Sequence, residues 1–203
     1  MSIDATMARI AEIQGLLQPL APRTGGTAAP AAFATALQAA APAAPAAMFG
    51  TPTTGTGTSA GQAMVNLVRN EVGVAEQPPG SNDGPRIAQY RQATAGSGVG
   101  PWCAYFVSWA ARESGVPIGD AGQGFGRVDD VWAWGERSGK AIPAGSAPPQ
   151  PGDLIVWDEH IGIVESVGAD GTIATIEGNS SDSVARRTYG SDGGGAIGFV
   201  RLG

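Results

Sequence analysis

Between Ala21 and Ala60 the chain is built mostly from Ala, Pro, Gly and Thr, and Arg23 is its only charged residue. Ala-Pro repeats such as Ala40-Ala41-Pro42-Ala43-Ala44-Pro45 favour extended, semi-stiff chain, and Thr53-Thr54-Gly55-Thr56-Gly57-Thr58 favours flexible chain. A segment with so few large apolar side chains cannot offset the entropy of ordering its backbone. Residues 21–60 are therefore read as a linker, interrupted by a short helix around Phe33–Ala40. Fully extended, ~40 residues reach on the order of 100 Å. The core is confined to the residues from Gly61 to Gly203, a length suited to one domain.

Ahead of the linker, Ile3, Met7, Ile10, Ile13, Leu17 and Leu20 recur at steps of three or four, with Asp4, Arg9, Glu12 and Gln18 off the stripe. That spacing predicts an amphipathic helix over residues 1–20, capped by Ser2 and ended by Pro19 and Pro22. So narrow a stripe suits pairing with a protein partner or a second copy as well as docking on its own domain. Met1–Thr6 lacks the basic cluster and apolar run of a signal peptide, and no window offers ~18 uninterrupted apolar residues, so no membrane span is expected.

Within 61–203 the period of the apolar pattern changes once. Met64, Leu67, Val68 and Val72 predict a helix ended by Gly73. Further helices are expected over Pro85–Gln92, Trp102–Glu113 and Val128–Ser138, the third apolar nearly all round and therefore buried. Past Pro151 the period is two. Strands are expected over Asp153–Trp157, His160–Val167, Thr172–Glu177 and Ala196–Leu202. Helices first and strands after them make an α+β domain, helices packed on an antiparallel sheet.

The rare residues narrow the chemistry. Lys and Arg total 12 against 18 Asp and Glu, a net charge of −6, with no cationic cluster to neutralise phosphates. Nucleic acid is not the expected partner. One Cys, Cys103, excludes intramolecular disulfides and thiolate zinc sites, and one His, His160, excludes multi-histidine metal centres. No Asp spacing of a calcium loop is present, and no metal or cofactor is expected.

What remains is the pairing of the lone Cys with the lone His. Cys103 follows Pro101 by two residues at the start of a buried helix, where unpaired N–H groups and the helix dipole favour a thiolate and can hold an oxyanion. His160 begins a strand, and Gly162 lies on the same face, leaving room beside the imidazole for a helix or a substrate. Glu177 and Asn179 end the next strand, which antiparallel pairing brings near His160, and either can accept the imidazole N–H. Singly, each feature suits a core thiol, a surface histidine or an ordinary turn; their conjunction suits a nucleophile, a base and an orienting group.

Other motifs carry less. Gly193-Gly194-Gly195 and Gly122-Gln123-Gly124-Phe125-Gly126 lack the setting or the Lys of a phosphate loop and are read as turns. Asp129-Asp130 complements a helix dipole. Trp109, Trp132, Trp134 and Trp157 are assigned to the core, and Arg186-Arg187 to a solvated strand edge.

Four ordered segments, Pro101–Trp109, Pro151–Trp157, His160–Val164 and Ile176–Asn179, resemble the CHAP domain, the cysteine, histidine-dependent amidohydrolases/peptidases of the papain-like group that includes the NlpC/P60 proteins. The resemblance runs over roughly Gln62–Gly203. It implies a papain-like α+β fold and hydrolysis of an amide bond of bacterial peptidoglycan, by an N-acetylmuramoyl-L-alanine amidase or an endopeptidase. In it Cys103 is the nucleophile, His160 the base and later the acid, Glu177 the orienting residue and Asn179 a fourth site residue. Asn82 and Trp102 border the cleft and contact substrate. Some members bind calcium just before the nucleophile, but Ala95–Gly100 offers no ligand side chains. The implied partner is peptidoglycan, met in the cell wall, periplasm or outside the cell by a route without a visible signal peptide. Ala8–Ile13 is similar to leaders of some flagellum-associated wall hydrolases. Two rivals are a catalytically silent domain of this fold that binds peptidoglycan or a partner, and an assembly protein working through residues 3–20.

Overall fold

The computed structural model describes residues 57–203. The expected N-terminal helix and all of the linker before Gly57 lie outside the described residues. Four helices precede the main sheet: α1 Ser59–Arg69, α2 Pro85–Arg91, α3 Cys103–Glu113 and α4 Val128–Arg137. Six strands follow: β1 Ala141–Pro143, β2 Leu154–Val156, β3 Ile161–Val167, β4 Ile173–Glu177, β5 Ala185–Tyr189 and β6 Gly198–Val200. They form one antiparallel sheet in the order β1-β6-β2-β3-β4-β5. The α+β class read from the sequence is the class observed.

Each boundary has a local cause. Thr58 caps α1 by accepting the Gly61 N–H at 3.0 Å, so the helix takes in Ser59 and Ala60, the last residues assigned to the linker. The helix ends at Arg69, before the expected stop at Gly73, because the chain is drawn into pairing with a later loop. Gly73 N–H donates to Val184, Val184 N–H donates to Val74, and Ala75 bridges Ser183. Pro85 opens α2, where its missing N–H costs nothing. Strands β1 and β5 were not among the expected four. The first is three residues long and contains a proline, and the second is an edge strand with alternating exposure.

Alternation divides the apolar residues between the two sheet faces. Leu154, Val156, Ile161, Ile163, Ile176 and Val200 pack against the helices in the main core. Ile155, Val164, Ile173 and Phe199 form a second cluster on the other face. Helix α3 is the centre of the main core, with every residue from Cys103 to Ala111 buried. Among the described residues no helix is long and apolar enough to cross a membrane.

Helix α3 meets the end of β4 at Gly178. A Cβ built on Gly178 would lie 2.6 Å from the Phe106 Cβ and 2.9 Å from the Trp102 ring, inside any real contact distance. This close approach brings the first turn of α3 to the residues that end β4. Gly178→Ala is expected to destabilise the domain by about 1–3 kcal/mol, the usual cost of overpacking. Denaturant unfolding of the purified variant measures it.

Candidate active site

Cys103 is the first residue of α3. Trp102 is the N-cap and no side chain caps the helix, while the first turn closes with Phe106 N–H donating to the Trp102 carbonyl at 3.0 Å. The N–H groups of Cys103, Ala104 and Tyr105 therefore have no intrahelical acceptor. Cys103 is 4% exposed but not sealed. Its wall belongs to an open cleft of about 440 Å³ that Pro101, Ala104, Arg127, Asp158 and Glu159 also line. Arg127 and Asp129, both exposed, face each other at 3.6 Å on the far wall.

His160 directly precedes β3. Its backbone is fixed by Trp157 N–H donating to the His160 carbonyl at 2.9 Å, which closes the Asp158-Glu159 turn. The Trp157 ring stacks on the imidazole with centroids 5.6 Å apart, and the Trp157 indole N–H donates to the Gly193 carbonyl at 2.9 Å. On one side of the ring Nε2 donates to Glu177 Oε2 at 2.8 Å. The Cys103 thiol also acts on the ring, by hydrogen bonding and by charge, and with Nε2 committed to Glu177 the nitrogen left free is Nδ1. Thiol, imidazole and carboxylate, spread over 75 positions of sequence, thus act on one another.

Glu177 is 1% exposed, and a carboxylate so buried must have its lone pairs occupied. Thr175 Oγ1 donates to Oε1 at 2.6 Å and Tyr189 Oη donates to the same oxygen at 2.8 Å, while His160 serves Oε2. Burial pushes the carboxyl pKa up, but the bonds from His160, Thr175 and Tyr189 outweigh it and hold the pKa below the usual value. Glu177 is thus ionised and acceptor-only, so Nε2 must carry a proton. Burial lowers the His160 pKa; hydrogen bonds and charge from Cys103 and Glu177 overcome that and raise it to about 9. The ring is an imidazolium at neutral pH. Burial and the bond to Glu177 raise the pKa of Tyr189, which keeps its proton as donor.

Gly162 explains how Glu177 reaches the ring. A Cβ there would lie 2.6 Å from the Glu177 Cγ. The space beside the imidazole, expected to receive a helix or substrate, is filled by the orienting side chain. Of the two expected acceptors, Glu177 takes the bond. Asn179 turns the chain away with φ of +59°, and its side chain is in none of the hydrogen bonds found among the described residues.

The two residues expected to touch substrate separate. Trp102 is fully buried, its ring stacked on Tyr90 with centroids 5.9 Å apart and its N–H donating to Glu76 Oε1 at 2.9 Å. It cannot present a face to a ligand, because the core of α1, α2 and α3 covers it. Asn82 is partly exposed with φ of +54°, and its backbone N–H donates to Glu76 Oε2 at 2.8 Å.

Thr175, Tyr189 and Trp157 belong to the surroundings of the site without a role having been assigned to them, and Glu76 ends the Glu71–Glu76 stretch that, with Ser81-Asn82, resembles a cleft border of the family. Thr175 and Glu177 are two apart on one strand, which places them on one face and was readable from spacing. Tyr189 needed the pairing of β5 with β4, which sets it opposite Ile173. Trp157 is half-buried against His160 and not a pure core residue; Trp109 and Trp134 are buried as expected. Arg186 pairs with Glu165 at 2.8 Å on the edge strand, away from the site.

Residues 94–179 match the family model of the CHAP domain. That span contains Trp102, Cys103, His160, Glu177 and Asn179 but neither Glu76 nor Asn82. No curated protein matches the chain. A solved structure similar to it is that of an N-acetylmuramoyl-L-alanine amidase from Staphylococcus aureus, with 17% identity and a TM-score of 0.39 over 53% of this chain and 33% of that one. The chain spans about a third of the amidase's length.

With a single histidine in the chain, the imidazole can be titrated by NMR without ambiguity. The wild-type ring is expected to titrate near pH 9. Gly162→Ala, whose methyl displaces the Glu177 side chain, is expected to move that titration toward the ordinary value of 6.5.

Proposed function

We propose that the chain, whose residues 94–179 match the CHAP domain, is a hydrolase acting on peptidoglycan and cleaves an amide bond of the bacterial cell wall through a cysteine thioester. The observation that carries the proposal is an imidazole bonded to the buried Glu177 at 2.8 Å and raised in pKa by Cys103 and Glu177 together. An imidazole held protonated next to the one thiol of the chain suits a cysteine nucleophile activated by its histidine.

The proposed steps use the residues of the site in turn. The Cys103 thiolate attacks the amide carbonyl carbon, and a C–S bond forms as the carbonyl π pair moves to oxygen. The uncapped N–H groups at the start of α3, with Ala104 on the cleft wall, face that oxyanion. As the C–N bond breaks, His160 delivers its Nδ1 proton to the departing nitrogen and the acyl group remains on sulfur. Water, deprotonated by Nδ1, then attacks the thioester, and the C–S bond breaks to release a carboxylic acid, which gives its proton to solvent, and to restore the ion pair. Glu177 keeps its charge throughout. It fixes the ring's orientation and favours the imidazolium in both halves of the reaction. The target is either the lactyl–L-alanine amide or a peptide bond of the stem, reached in the wall, the periplasm or outside the cell, with residues 3–20 as the element that meets a protein partner.

Purified peptidoglycan digested with wild type is expected to release fragments with new amino termini, whose masses assign the bond. Cys103→Ala is expected to release none, and a digest that it leaves unchanged overturns the proposal. His160→Ala is expected to lower kcat by about 10²–10⁴, the usual worth of general acid–base help.

The pH dependence has a definite sign. His160 is protonated below about 9 and loses its proton as pH rises through that value, so kcat/KM is expected to fall on the alkaline side near pH 9. Glu177→Gln removes a charge that raises the imidazole pKa. Its alkaline limb is expected at lower pH, as read from initial rates across a pH series.

A further inference from the structure

Glu76 is a buried carboxylate, 3% exposed, that the reaction steps do not use. It fastens three segments. Its backbone N–H donates to the Asp182 carbonyl at 2.9 Å, in the loop that leaves the end of β4. Oε2 accepts the Asn82 N–H at 2.8 Å and pins the left-handed backbone there. Oε1 accepts the Trp102 indole N–H at 2.9 Å, and Trp102 is the residue before Cys103.

Trp102 is in turn a wedge. One face stacks on Tyr90, whose hydroxyl donates to Glu71 at 2.5 Å. The far edge of its ring leaves no room for a Cβ on Gly178, the residue after Glu177. Its carbonyl closes the first turn of α3. Turning the indole therefore moves the start of the nucleophile helix and the end of the strand carrying the orienting carboxylate. Stacking and packing leave a ring free to rock in its plane; a directional bond from its N–H stops that motion.

We propose that Glu76 is a positioning residue: by holding the Trp102 indole it sets where Cys103 and Glu177 stand on either side of His160. The inference rests on the roles assigned above to Cys103 and His160. Glu76 has no direct part in the imidazole's charge balance. The titratable and charged groups around that ring are Cys103 from α3, Glu177 from β4 with Tyr189 of β5 behind it, and Asp158 and Glu159 in the turn leading to it. Any effect of Glu76 on the His160 titration must pass through the placement of those groups, which makes the titration a test of positioning.

Three variants decide it. Glu76→Ala is expected to lower kcat about 10- to 100-fold, the cost of a misplacement near 1 Å, with KM little changed. It should also move the His160 NMR titration from about 9 toward 6.5 and slow alkylation of Cys103 by iodoacetamide. Glu76→Gln retains an amide oxygen for the indole N–H and is expected to keep the titration near that of wild type. Trp102→Phe keeps a ring against Tyr90 and removes the N–H; it should reproduce the Glu76→Ala shift, and the double variant should add little to either. A folded Glu76→Ala with lower melting temperature but unchanged kcat, alkylation rate and titration overturns the proposal. If Glu76→Ala does not fold, an unshifted titration in Trp102→Phe overturns it. Titration and alkylation need no peptidoglycan, so a wild type that leaves the wall intact sinks the proposed function while these readouts still decide the role of Glu76.

Discussion

A negative charge almost wholly removed from water at Glu177 is the condition on which the site depends. Desolvation of a carboxylate costs several kcal/mol unless its lone pairs are filled and an opposite charge stands close. Both are supplied here from three strands' ends. Thr175 comes from the same face of β4, Tyr189 from β5 and the imidazolium from the start of β3. The neutral donors satisfy one oxygen and leave the other for the histidine. A ring bonded in this way cannot rotate without unpairing the carboxylate, so its orientation is fixed. Thr175 and Glu177 share the face of Ile173, which packs away from the helices, whereas Cys103 comes from the helical layer. The Cys103 thiol and the Glu177 carboxylate thus come from opposite faces of the sheet to act on one imidazole.

Such a meeting requires absent atoms as much as present ones. Gly162 and Gly178 lie one step either side of Glu177 in space, and each marks a place where a methyl would collide. Gly162 lets the carboxylate cross β3 to the imidazole, and Gly178 lets α3 approach β4. Neither position demands a left-handed backbone; both demand the missing Cβ. A side-chain-free position is used where two elements must touch backbone to side chain.

This division explains what was legible in the sequence. The four helices came from 3.6-residue spacing and the long strands from alternation, and both survive because burial on one face dictates them. The bond between His160 and Glu177 was legible because the strand order puts Glu177 beside His160, and Cys103 was the only thiol that a reading of the sequence could set against that imidazole. Strands β1 and β5 were not, since three residues cannot display a period and an edge strand buries little. Trp102 misled for a related reason. A tryptophan next to a nucleophile suits a substrate platform as well as a wedge, and only the three-dimensional position of Tyr90 and Gly178 distinguishes the two. Asn179 was equally open, because its left-handed turn is a backbone property that the residue type permits without requiring.

Three buried carboxylates around the first turns of α3 make a common arrangement visible. Glu71 takes the Tyr90 hydroxyl, Glu76 the Trp102 indole and Glu177 the His160 imidazole, each bond fixing the rotation of a ring. A carboxylate suits that task better than an amide, because it accepts at both oxygens and has no donor that must be placed. Two of the three are neutralised directly: Glu71 by Arg86 at 2.5 Å, with the guanidinium also over the Tyr90 and Trp109 rings, and Glu177 by His160. Glu76 receives only uncharged donors, the indole N–H and a backbone N–H. Its partner Trp102 is the N-cap of α3, so the charge lies toward the helix end where partial positive charge collects. Helix α3 thus has a buried carboxylate bonded to the ring of its N-cap and the Cys103 thiol in its first turn, which ties the packing of Trp102 to the placement of its neighbour.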